Sequence, residues 1–77
     1  MTTLDDSIAS ASRHLVLTDI RYHEYLDVAE RLAAAGKSTN YIDYLARDCA
    51  SQLERHEKWL AGLLDIRTRR LRPLVHL

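Results

Sequence analysis

At 77 residues, with eleven basic and eleven acidic side chains in balance, the chain is at most one small domain of zero net charge. One cysteine excludes an intrachain disulfide, and the longest apolar runs, "LVL" and "LAAA", fall far short of a membrane span. Zero net charge also argues against a dedicated nucleic-acid binder, whose affinity rests on neutralised phosphates.

The opening "MTTLDDSIAS" is acidic and has no basic segment leading into an apolar run, so no signal peptide is predicted. With a lone cysteine, this points to the reducing cytoplasm. Thr3 or Asp5 is placed to cap a first helix predicted over about 4–35. At 3.6-residue spacing Leu4, Ile8, Ala11, Leu15, Tyr22, Leu26, Ala29 and Ala33 fall on one face of it, bordered by Tyr25 and Leu32. Val16, Leu17, Ile20 and Val28 form a second apolar patch on the other side. A helix that is apolar on two sides has two neighbours.

The stretch "AAAGKSTN" is the strongest punctuation in the chain. Gly36 suits the left-handed residue that ends a helix, and Ser38, Thr39 or Asn40 suits the cap of the next, giving a turn at 36–38. The second helix is predicted over about 39–71, with Ile42, Leu45, Cys49, Gln52, His56, Trp59, Leu60, Leu63 and Ile66 on one face. Pro73 forbids continuation, leaving a tail at 72–77. The fold class is therefore all-α, a two-helix antiparallel hairpin. Two rods touching along one seam bury little, and so small a chain buries only ~60% of its unfolded surface. Two hairpins packed as a dimeric four-helix bundle are the expected completion. Charge placement suits such antiparallel neighbours. Residues 1–36 hold six acids against Arg13, Arg21 and Arg31, while residues 37–77 hold eight basic and five acidic side chains.

Cys49, Gln52 and His56 interrupt an otherwise apolar face, and a hairpin folded about residues 36–38 sets residue i opposite roughly 74−i. Asp19 then lies near His56, and Tyr22 and His23 near Gln52. One reading is a structural polar layer of Asp19, Tyr22, Gln52 and His56 that fixes the alignment of helices, as a single buried Asn does in coiled coils. The competing reading is a metal or small-ligand site centred on Asp19, His23 and His56, since imidazoles with carboxylates suit transition metals. The established helical metal signatures fail. The positions four residues after His23 and His56 are Asp27 and Leu60, and the positions three before are Ile20 and Leu53. No Gly-rich phosphate loop, CxxC pair or nucleophile constellation is present, so neither catalysis nor a cofactor is expected.

"RTRRLRPLVHL" places Arg67, Arg69, Arg70 and Arg72 within six residues. Cations at a helix C-terminus complement its dipole. The alternative is an arginine patch for an acidic protein surface or for phosphates, the latter making the chain a nucleic-acid-binding dimer. Tyr25 and Tyr44 lie off the centres of their stripes and are candidates to face a partner, while "PLVHL" is apolar enough to dock. The expected function is non-enzymatic: a small interaction or regulatory protein, homodimeric, that binds another macromolecule, with protein the preferred partner and no membrane involved.

Overall fold

The computed structural model describes residues 3–71, which form two long helices, α1 (Leu4–Ala34) and α2 (Asn40–Leu71), packed against each other as a hairpin. The helices start and stop where local chemistry directs. Thr3 has extended backbone and its Oγ1 accepts from the Asp6 amide at 3.1 Å, while the Asp6 carboxylate accepts from the Thr3 amide at 3.3 Å. This reciprocal box satisfies two amides that the first helical turn leaves without partners. Asp5 and Asp6 also place negative charge at the positive end of the helix dipole.

α1 ends in a Schellman turn. The Gly36 amide donates to the Ala33 carbonyl at 3.0 Å and the Lys37 amide to the Leu32 carbonyl at 2.9 Å, with Gly36 at φ 71°. Thr39 precedes α2, its carbonyl accepting from the Asp43 amide and its hydroxyl donating to the Asp43 carboxylate, both at 2.8 Å. Each helix is one residue shorter at the turn than the sequence predicts, because Ala35 and Thr39 serve as caps.

The two glycines respond to a methyl group in opposite ways. A Cβ at Gly36 meets no atom within 4 Å, so Gly36→Ala carries only backbone strain, about 1–2 kcal/mol for the left-handed conformation. Gly62 lies inside α2, also with open space around it, and Gly62→Ala should stabilise by up to ~1 kcal/mol of helix propensity. Urea melts of the two variants should move in opposite directions.

The seam between the helices follows a 3.5-residue repeat. In α1 it runs through Leu4, Ile8, Ala11, Leu15, Thr18, Tyr22, Tyr25, Ala29 and Leu32, alternating steps of four and three, and every one is buried or half-buried. In α2 it runs through Ile42, Ala46, Cys49, Leu53, His56, Leu60 and Leu63. This corrects the 3.6-residue stripe expected from the sequence. Tyr25 and Leu32 belong to the seam rather than its border, whereas Leu26, Ala33, Trp59 and Ile66 are exposed on its flanks. A 3.6-residue stripe drifts by ~20° per heptad from the line that keeps facing a partner helix. Over four heptads that drift moves the expected face from the seam to its edge.

The core is thin. Ala11, Thr18, Ile42, Ala46 and Cys49 are buried, and among the described residues no large side chain is buried completely. Four of these five, Ala11, Thr18, Ala46 and Cys49, are small residues. Among the described residues no helix is long and apolar enough to cross a membrane.

Candidate interaction surfaces

A seam through heptad positions a and d leaves each helix with two flanks, e and b on one side, g and c on the other, and f at the back. With the a position at Ile8 in α1 and Ala46 in α2, the geometry sorts the polar residues by flank. Asp19 lies on the e side, in a groove with Leu15, Val16, Leu53 and Glu57. His14 lies on the g side, stacked on His56 with ring centroids 5.7 Å apart and planes 15° from parallel, and 6.4 Å from the Trp59 ring.

The structure therefore separates Asp19 from His56. Asp19 and His23 are exposed and pair within α1, at 3.4 Å between Asp19 Oδ1 and His23 Nδ1, with the same nitrogen 2.8 Å from the Asp19 carbonyl. Gln52 donates from Nε2 to Asp48 Oδ2 at 2.9 Å within α2. Tyr22 sits half-buried in the seam with its ring edge-on to His23 at 5.7 Å. The expected layer of Asp19, Tyr22, Gln52 and His56 is thus not a connected set. Each polar partner comes from the same helix, and the ring that meets His56 across the hairpin belongs to His14.

Register does not account for this, since Asp5 still approaches Arg67 and Asp19 shares its groove with Leu53 and Glu57, close to the expected opposition. The flank of each residue depends on helix phase, which the 3.6-residue reading leaves drifting. His14 was missed because its own helix gives no signal at that position. Only the ring across the hairpin marks it.

Among the described residues no group of three or more His, Cys, Asp or Glu side chains stands close enough to hold a metal ion. The His14–His56 pair does not provide the start of one. The lone pairs of imidazole nitrogens lie in the ring plane, so parallel stacked rings cannot both aim at an ion between them. No buried side-chain polar atom among the described residues lacks a hydrogen-bond partner.

Of the C-terminal arginines, Arg69 pairs with Asp65 at 3.0 Å and Arg67 approaches Asp5 at 4.0 Å. Arg70 lines a groove with Thr3, Leu4, Asp5, Arg67 and Leu71 at the open end of the hairpin. Arg72 and the tail at 72–77 lie outside the described residues. Tyr25 is half-buried in the seam, while Tyr44 is exposed beside Arg47, Asp48 and Ser51. The second patch expected on α1 is present at the surface. Val16 and Leu17 line an apolar groove with Ser12 and Arg13, and Ile20 is half exposed one turn further on.

The fold and its surfaces define a helical hairpin whose described residues expose eleven large apolar side chains. No family model, curated protein or solved structure matches the chain.

Proposed function

We propose that this chain is a non-enzymatic interaction protein of the cytoplasm: two copies complete a four-helix bundle, and the bundle acts by binding another macromolecule, a protein in preference to nucleic acid. One observation carries the reading. Among the described residues eleven large apolar side chains are exposed, from Val16 on α1 to Leu71 on α2, while none is fully buried. Scattered exposed leucines need no explanation, but a thin core beneath apolar flanks leaves the folded chain short of the burial that offsets ordering entropy. A second hairpin supplies that burial.

Light scattering tests the oligomeric part. The mass should be at least twice the 8.9 kDa of one chain, and a monodisperse monomer overturns the bundle. The arginines test the binding part. Arg67, Arg69 and Arg70 are exposed, and exposed ion pairs contribute only about 0–1 kcal/mol each. Replacing Arg67, Arg69, Arg70 and Arg72 together with Gln should leave helical content by circular dichroism nearly intact. The same change should remove binding of a purified partner. Unfolding of the quadruple variant would assign the arginines to the structure instead.

A further inference from the structure

We infer that the second copy seats on the g/c face of the hairpin, the side that carries Trp59, and that the e/b face stays open. The inference rests on the dimeric reading above and names its interface.

Either broad side of the hairpin is large enough. Helices of 31 and 32 residues are ~46–48 Å long, and two side by side span ~20 Å, which exceeds the ~800 Å² per partner of a stable interface. Apolar content does not choose between the faces. The g/c side offers Leu17, Val28, Tyr41, Trp59 and Ile66, and the e/b side offers Val16, Leu26, Leu64 and Leu71.

Charge does choose. A twofold interface brings a surface against its own copy, so the charge of the face is met by the same charge. The e/b face carries Asp19, Glu30, Asp43, Glu54 and Glu57 against Arg47. Lys58 reaches Glu54 from the back of α2 at 3.1 Å, Asp5 at the end is met by Arg67, and Asp19 lies 3.4 Å from His23, which still leaves Glu30, Asp43 and Glu57 to one guanidinium. Pairing this face with itself sets like charge against like. The g/c face is balanced. Arg31 and Arg69 are held from the back by Asp27 at 2.9 Å and Asp65 at 3.0 Å, and what remains is Arg21 and Arg55 with Glu24 and Asp48. Two such faces meet without net repulsion and with opposite charges available to pair.

Trp59 is the natural anchor. It is 44% exposed on the lone hairpin, its ring 6.4 Å from that of His14, with Ile66 two turns along the same flank. Aromatic side chains at the centre of an interface carry a large share of its energy.

The test uses the whole chain and its single tryptophan. At a concentration where the mass is that of two chains, acrylamide should quench Trp59 far more weakly than free N-acetyltryptophanamide, below the proportion that 44% exposure allows. Ile66→Lys should weaken the dimer by at least about tenfold, the loss expected for a charge placed in a packed interface. Val16→Lys and Leu26→Lys should leave the mass at two chains. A dimer in which Trp59 is quenched in proportion to its exposure, or which Val16→Lys or Leu26→Lys breaks while Ile66→Lys does not, overturns the interface and leaves the dimeric reading standing. A chain that is monomeric at every concentration overturns both.

Discussion

Diluting the protein a hundredfold should lower its melting temperature by about 5–10 °C. A chain that folds fully only in a dimer loses stability as its concentration falls, by ~2.7 kcal/mol per hundredfold change. For a folding unit of about 150 residues, each kcal/mol moves the midpoint by ~2–4 °C. The physical basis is the thin seam. Five buried residues among those described, of which Ala11, Thr18, Ala46 and Cys49 are small, stand against the ordering of two helices of 31 and 32 residues. Calorimetric scans across a hundredfold range, at equal ionic strength, make the measurement. A midpoint independent of concentration would show that one hairpin holds itself together, and the exposed flanks would then need another explanation.

The turn and the two helices were legible in the sequence because their signals are local. Gly36 is the residue that tolerates φ 71°, and the Thr3 hydroxyl, the Ser38 hydroxyl and the Thr39 carbonyl accept backbone amides where helix starts need acceptors. Each of these depends on its neighbours within a few positions. The seam depends on a period sustained over some thirty residues. Choosing 3.6 rather than 3.5 residues per turn placed Tyr25 and Leu32 at the border and Trp59 and Ile66 inside, the reverse of their positions in the structure.

The polar residues at the middle were less legible still. Whether Asp19 can meet His56 depends on the flank each occupies. His14 shows the limit most plainly. Flanked along its own g column by Ser7 and Arg21, it looks like an exposed polar residue until the ring of His56 is placed 5.7 Å away. A contact between two helices is a property of their relative phase, and one helix read alone carries half of that information.

The seam itself supplies the sharpest contrast in stability. Ile42→Ala should cost about 2–5 kcal/mol, because Ile42 is the one large aliphatic side chain buried among the described residues and its truncation leaves a cavity near the turn. His56→Leu should cost less than ~1 kcal/mol or stabilise. Had Asp19 been its buried partner, removing the imidazole would have left a carboxylate stranded, at a cost of ~1–3 kcal/mol or more. Asp19 instead is exposed and already paired with His23, and His56 meets only another ring. Leucine preserves apolar contact with that ring, and it relieves the seam of a half-buried imidazole. Urea melts of the two variants, run at one protein concentration so that dissociation does not enter the comparison, should differ in midpoint with equal slopes. If His56→Leu is as damaging as Ile42→Ala, the stacked imidazoles hold the middle of the hairpin. Leu at His14 would then have to be equally damaging, since a stack needs both rings.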